Sequence, residues 1–581
     1  MDVVGVIKEK VAKSLAKQWS DFEYSSLEVN VPPKPEFGDY TCPIALPLAK
    51  ILDENPVEIA EKIAAEIKAD GVILNISASA PGFVNFFINY PVLAKEVLQC
   101  KWDLKASTKQ KVSIEHTSVN PNKAAHIGHL RNACLGDTLA NLLRTQGHEV
   151  EVQNYIDDLG LQVADSVLAF EEYGDAPDER AVDEWFWEIY AKISQRLTED
   201  EELKARRDKI LEAMEAGESR VAKELVEKIV ERHLETFERF GIKYDKLVYE
   251  HDIVNNHLWD NLFESLKDKK LIHKPDNGDH AGAWVVEYGD SEREDKILVR
   301  SNGLVTYTGK DLAYALWKFG QGAEMEGYDN RLKPIDMHVN VIDERQSYPQ
   351  AVIRHILREL GYTKEADNYL HLGYGVVKLS ENAVKALGGN TEEDKSTYSM
   401  SGRSGIGVMV NDLVDSATAK QTEIGSENAE EIAIGSIRYY MLKSRPVREI
   451  VFDFDEALRS DGNTGVYLQY AYARANNILE KAENVAKSYS ISELNQYEQA
   501  LIKTMAEVSL AIDKATKELD PSILCDYTYQ LATTFAKFYE TSPVLKSDDS
   551  TMAFRVALVT SYKELLGKML SILGIPVLDK I

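Results

Sequence analysis

The residues best suited to chemistry are two histidines three apart, His126 and His129, in the stretch E-H-T-S-V-N-P-N-K-A-A-H-I-G-H-L-R-N over 115–132. The β-branched residues Val112 and Ile114 lead in. Apolar residues then recur at Ile127, Leu130, Cys134, Leu135, Leu139 and Leu142, the spacing of a helix with one buried face. This predicts a strand ending in a polar turn, with both histidines where a helix begins. A helix start carries unpaired N–H groups and a partial positive charge, which suit a phosphate. Gly128 between the histidines has no side chain, so a flat ring could lie against the backbone there. Alone, the tetrapeptide also fits two polar residues capping an ordinary helix. A metal reading is weaker, because no Glu separates the histidines and no cysteine pair exists elsewhere.

Other groups fall where strands give way to turns. A second strand, 149–155, ends in N-Y-I-D-D-L-G, so Asp157 and Asp158 lie at such an end or in a solvated turn. Tyr307 and Asp311 are four apart where a strand at 296–300 and its turn meet a helix at 312–319. Gln346 falls in the first turn of a helix over 344–360, after a strand at 338–343. The run Y-S-M-S-G-R-S-G-I-G-V contains Met400, Ser401 and Arg403 and could approach phosphate through its backbone, or serve as a flexible connector. Tyr467, Tyr470 and Arg474 share one helical face that could stack bases or simply pack.

The elements that must position these groups make several units. The chain has 581 residues, more than one core can serve. Its composition is that of a folded protein, and a net charge of −28 argues against a generally basic nucleic-acid coat and against binding an anionic membrane. Local basic clusters remain open to a polyanion: Lys101, Lys105, Lys109 and Lys111, and Lys443, Arg445 and Arg448. Four scattered cysteines form no metal or redox motif, as expected in a reducing cytosol, and no apolar run is long enough to span a membrane. Residues 1–105 read as an α+β unit, with helices at 3–19, 42–51 and 56–69 and strands within 71–89. Residues 106–410 read as an α/β unit interrupted at about 167–295 by long charged helices, and 411–581 as an all-helical bundle. Trp185, Phe186 and Trp187 in the interruption read as core.

In this order, the pieces resemble the arginyl-tRNA synthetases, a family of class I aminoacyl-tRNA synthetases. H-I-G-H at 126–129 matches the class I signature. The longer string from Ser118 with N-Y-I-D-D-L-G, Y-T-G-K-D at 307–311, H-L-G-Y-G-V-V at 371–377, Y-Y-M-L-K-S-R, F-D-F-D-E-A-L and D-G-N-T-G-V-Y-L-Q-Y-A-Y-A-R resemble the arginyl branch. F-G-D-Y and A-P-G-F-V-N-F resemble its extra N-terminal domain, which reads the outer corner of tRNA. The resemblance implies a Rossmann-type parallel-sheet catalytic domain with a helical insertion and a helical anticodon-binding domain. It implies ATP with Mg2+ and L-arginine as substrates, tRNA-Arg as partner and acceptor, and no structural metal. A monomer in the cytoplasm, with no membrane partner, is expected. The alternatives are another class I synthetase or a non-catalytic tRNA-binding paralogue.

The same resemblance assigns His126, Gly128, His129, Met400, Ser401 and Arg403 to ATP, and Glu115, Asn120, Tyr307, Asp311 and Gln346 to arginine. Tyr467, Tyr470 and Arg474 would meet tRNA. One departure matters. The second class I signature reads S-M-S-G-R-S-G at 399–405, without its lysines. Lys123, three residues before His126, is the expected replacement facing ATP and the leaving pyrophosphate.

Overall fold

Five parallel strands make the central sheet of the computed structural model: β1 (Lys111–Glu115), β2 (Glu149–Ile156), β3 (Lys246–Tyr249), β4 (Met337–Asp343) and β5 (Tyr369–Tyr374). Their order is β5-β4-β1-β2-β3. The chain therefore builds outward from β1 on one side, then returns to build on the other. The carboxyl ends of β1 and β4 flank the reversal point, the crevice where an open α/β sheet takes ligands. Val112, Ile114, Val152, Val339 and Val341 fill the sheet and are at most 1% exposed, because helices cover both faces. The structure describes residues 3–19, 27–177, 180–287, 295–328, 332–388, 391, 396–399, 408–482, 489–491 and 493–581.

Helix α1 (Ile127–Thr145) leaves the β1 turn and is almost wholly buried, since the helical C-terminal part covers its outer side. Arg438 is the joint there. It is fully enclosed and donates to Asp137 in α1 at 2.5 Å, to the Phe240 carbonyl at 2.8 Å and to the Leu573 carbonyl at 3.0 Å. A buried cation with one carboxylate and two carbonyls is satisfied, and losing any partner would be costly.

The span 167–295 is only partly the helical insertion expected. Helices Leu161–Tyr173, α2 (Val182–Arg196), Glu201–Glu215 and Arg220–Glu238 share their own core around Phe186, Ile189, Ile193 and Ile229. The chain then re-enters the main sheet as β3 and adds a small antiparallel sheet of Ile272–His273, Trp284–Val286 and Lys296–Val299. Three expectations are corrected. β3 is four residues long between charged helices, too short to show alternation. The run at 296–299 lies outside the parallel sheet, which a short apolar run cannot reveal by itself. Helix α3 (Tyr307–Lys318) follows that run, and α4 (Ser347–Glu359) follows β4. Likewise the segment read as a helix over 42–51 opens with a strand, Tyr40–Cys42, and the helix is Ala45–Leu52.

The N-terminal part is a three-stranded antiparallel sheet, Tyr40–Cys42, Ile73–Ser79 and Phe83–Ile88, backed by helices. Its F-G-D-Y motif meets the C-terminal part. The Tyr40 hydroxyl donates to Glu507 at 3.0 Å, and Lys503 donates to the Asp39 carbonyl at 2.9 Å. The C-terminal part is all helical, with α5 (Gly465–Glu480) packed on Asp549–Ile572.

Candidate active site

His126 is the N-cap of α1. Its Nδ1 accepts from the Gly128 amide at 3.1 Å and the His129 amide at 3.4 Å, while the His126 amide donates to His129 Nδ1 at 3.2 Å. This reciprocal cap stacks the two rings, with centroids 3.5 Å apart and planes 13° from parallel. It also decides their protonation. Each Nδ1 accepts an amide proton, so each neutral ring carries its hydrogen on Nε2. Burial, then the nearby Lys123 charge, holds His126 down to about 4, and burial holds His129 well below its ordinary range. At neutral pH the pair presents two N–H donors without net charge. Gly128 sits against this arrangement: a β-carbon there would lie 3.0 Å from His126 Cε1.

The histidines face a cavity of about 600 Å3 at the sheet's reversal point. Ser118 and Asn120 line it from the β1 turn, and Asp343 and Gln346 from the end of β4. Thr117 and Ser118 adopt positive φ of 74° and 41°, a strained conformation for side-chain-bearing residues. Two asparagines hold the strain: Asn132 accepts from the Thr117 amide at 2.6 Å, and Asn154 from the Ser118 amide at 3.0 Å. Asn132 also donates to the Val341 carbonyl at 2.8 Å, tying α1 to β4 across the crevice.

The described residues that flank the second signature loop are tied to the elements around the first. Its upstream strand, Thr397–Ser399, pairs with Val377–Ser380. Downstream, Ile127 donates to the Val408 carbonyl at 3.3 Å and Val410 to the Ala125 carbonyl at 3.0 Å. Met400, Ser401 and Arg403 themselves lie outside the described residues.

Lys123 is not on the cavity wall. It is 9% exposed, with Nζ donating to Asn122 at 3.2 Å and lying 4.7 Å from the Tyr190 ring of α2 and 6.0 Å from Trp187. The Trp187 ring also meets His126 edge-on at 6.4 Å. Trp187 is buried, as its reading as core expects, and its ring lies beside Lys123 and His126.

An acidic cluster adjoins the β1 turn. Glu115, at the end of β1, pairs with the enclosed Lys318 of α3, whose Nζ is 3.2 Å from His338 and 3.8 Å from the Tyr314 ring centre. Glu250 pairs with Lys310. Asp311, seven residues before Lys318 on the same helical face, has no such partner among the described residues. Burial, then the charges of Glu115 and Glu250, pushes its carboxyl up to about 8. Burial and Glu250 likewise hold Asp157 well above the usual carboxylate range. Burial, then the charges of Glu250, Asp311, Asp157 and Glu115, holds the Tyr155 hydroxyl well above its ordinary range. Cationic groups would be received there. Tyr307 is 51% exposed and its hydroxyl accepts from Lys296 at 2.9 Å, so the structure does not bring it to the cluster.

Sequence reasoning missed Lys318, Glu250 and Lys310. The polar residues Asp311, Tyr314 and Lys318 recur at helical spacing in an otherwise apolar run, a signal that could have found Lys318. Glu250 carried none, because only the tertiary fold brings it near.

In the C-terminal part, Tyr470 and Arg474 of α5 line an open cavity of about 740 Å3 with Asn477, Lys481, Tyr539 and Lys546. The Arg474 guanidinium is 5.8 Å from the Tyr539 ring centre. Tyr467 instead packs edge-on to Tyr529 at 5.7 Å. In the basic clusters Lys109 pairs with Glu149 at 2.7 Å, Lys105 with Asp103 at 3.3 Å and Arg445 with Asp520 at 3.7 Å, which leaves less free positive charge than their sequence suggests.

Three family models match in chain order: the arginyl tRNA synthetase N terminal domain over 5–88, the tRNA synthetases class I (R) catalytic domain over 92–454, and the DALR anticodon binding domain over 468–581. An arginine–tRNA ligase of Pyrococcus abyssi is 33% identical over 98% of both chains. One from Thermus thermophilus is 33% identical over 95% of both chains. The solved structure of the Thermus thermophilus arginyl-tRNA synthetase superposes over 100% of both chains with a TM-score of 0.86 at 31% identity.

Proposed function

The chain belongs to the arginyl-tRNA synthetases, and from that premise we propose how its residues activate L-arginine with ATP and pass it to tRNA-Arg. The arginine carboxylate attacks the α-phosphorus of ATP, and the bond to the bridging oxygen breaks. Arginyl-adenylate forms and pyrophosphate leaves. A hydroxyl of the tRNA terminal adenosine then takes the arginyl group and AMP leaves. The first step needs positioning and charge stabilisation more than a protein nucleophile.

The observation that carries this reading is the stacked, neutral histidine pair at the reversal-point cavity, with the Glu115 carboxylate at the end of the adjoining strand β1. The Nε2–H groups of His126 and His129 donate to phosphate oxygens, and Gly128 leaves room for the nucleotide. Magnesium enters with ATP, held mainly by its phosphates. Asp311 takes a cationic group of arginine, Glu115 acts beside it held by Lys318, and Asn120 and Gln346 orient the amino acid near the α-phosphate. Tyr307 would need to swing from Lys296 to join them. Lys123 supplies charge toward the leaving pyrophosphate, and to do so its ammonium moves off Tyr190. Met400, Ser401 and Arg403 close over ATP. Tyr470 and Arg474 stack and neutralise tRNA, while Tyr467 supports that face by packing. Residues 1–105 serve as the tRNA-recognition unit, 106–410 as the catalytic unit and 411–581 as the anticodon-binding unit. The enzyme acts as a monomer in the cytoplasm.

Aminoacylation of total tRNA, run with each amino acid in turn, tests this reading. Charging with arginine alone is expected. Charging with another amino acid overturns the arginine assignment, and binding of tRNA without charging would favour the non-catalytic paralogue.

A further inference from the structure

We propose that a cavity at the seam between the catalytic sheet and the helical C-terminal part, built around Arg354, takes a backbone phosphate of the bound tRNA. The proposal rests on the arginylation reading above. The cavity holds about 730 Å3 and is walled by Ser347, Gln350 and Arg354 of α4, Leu370 and His371 of the edge strand β5, and Leu519 from the C-terminal helices.

Three observations point to an anion. First, Arg354 Nε is enclosed and has no hydrogen-bond partner among the described residues. Other arginines nearby in sequence have carboxylates: Arg345 pairs with Asp343 at 2.7 Å and Arg358, one turn further along α4, with Asp367 at 2.5 Å. A guanidinium partly withdrawn from water without a counter-ion is unfavourable until an anion arrives. Second, no carboxylate lines the cavity among the described residues, in a chain with 95 Asp and Glu against 67 Lys and Arg. The acidic neighbours of Leu519 lie near Arg445 instead, Glu518 at 3.9 Å and Asp520 at 3.7 Å. Third, Gln350 is 2% exposed and its amide oxygen accepts from Asn340 at 3.3 Å and from the Tyr369 hydroxyl at 2.9 Å. Its N–H2 end is therefore the half left to donate.

A forked guanidinium beside an amide donor matches the geometry of a phosphate diester. Position selects a polymer over a free ion. Helix α4 starts directly after Gln346, which lines the nucleotide-sized cavity, and Leu519 caps a helix of the part that carries Tyr470 and Arg474. The seam thus joins the two parts to which ATP and tRNA are assigned above, which favours a polymer bound across them.

The test is tRNA affinity against salt for the full-length enzyme. Arg354→Gln is expected to weaken tRNA binding about 3- to 10-fold near 0.1 M salt and to flatten the plot of log affinity against log salt by about 1, the loss of one phosphate contact. KM for ATP should not move. Arg354→Lys should keep the salt slope. Ala351→Glu, which puts a carboxylate on the same wall, should reproduce the loss if Arg354→Gln folds poorly. An unchanged slope in both neutralising variants overturns the proposal. So does calorimetric binding of inorganic phosphate that Arg354→Gln abolishes while the tRNA slope stays unchanged, which would make this a small-anion site. A wild-type enzyme that fails to bind tRNA would remove the arginylation reading itself, an outcome distinct from an unchanged variant.

Discussion

Arginine should displace a proton when it binds. In the free protein, burial and the charges of Glu115 and Glu250 push the Asp311 carboxyl up to about 8. With that value, about one molecule in eleven carries Asp311 ionised at pH 7. A cationic group of the substrate binds the ionised form, so apparent affinity falls by the ionised fraction: about 11-fold at pH 7 and about 100-fold at pH 6, relative to the alkaline limit. About 0.9 proton should leave per arginine bound at pH 7. Calorimetry at one pH in buffers of different ionisation enthalpy counts that proton, and dissociation constants between pH 6 and 8.5 give the slope. Asp311→Asn should abolish both effects and weaken binding at high pH.

The same group affects stability in the opposite sense to most carboxylates. Between its unfolded value near 4 and about 8, the folded protein keeps a proton that the unfolded chain has lost. The contribution of Asp311 to stability is therefore present at low pH, declines as pH rises through that window and is gone above it. Melting temperature without substrate should fall across the window, and Asp311→Asn should flatten that fall. A flat affinity profile with no proton release would refute the reasoning.

Other outcomes follow from the same geometry. Gly128→Ala places a methyl group about 3.0 Å from the His126 ring, so ATP–pyrophosphate exchange should drop at least tenfold while melting temperature stays within a few degrees; normal exchange would show that the ring's position is not critical. Lys123→Met keeps the packing on Tyr190 and removes the charge, so exchange should fall by a factor of about 100, on the order of 3 kcal/mol. Near-normal exchange would leave Lys123 a structural residue. Lys318→Met leaves Glu115 without its cation, so KM for arginine should rise about 10-fold or more with KM for ATP unchanged, and Lys318→Arg should restore part of the loss; an equal rise in both KM values would point to general disruption.

How much was legible in sequence depended on whether a function rests on neighbours along the chain. The strand, polar turn and helix around 115–145 were readable because Val112 and Ile114 alternate and Leu130 to Leu142 recur at helical period, and those local patterns place His126 at a helix start wherever the helix packs. The class of chemistry followed from the resemblance that this stretch carries together with the later motifs, since the tetrapeptide alone also fits an ordinary helix cap. The span 246–249 was not readable as part of the sheet, because four residues carry no usable period.

Protonation and pairing were decided only in three dimensions. That the histidines are neutral Nε2–H donors depends on amides three residues apart meeting two ring nitrogens, together with burial by other elements. That Lys318 pairs with Glu115 and Lys310 with Glu250, while Asp311 forms no ion pair among the described residues, depends on α3 meeting the end of β1, which no spacing announces. Lys123 was expected to face ATP, yet Tyr190 and Trp187, more than sixty residues on, hold it to one side. Residue types and their local period determined what this chain can do. Burial and long-range contact decided which groups are charged, which are paired and which are left to meet a substrate, because those properties depend on the dielectric surroundings and on partners that only the folded chain supplies.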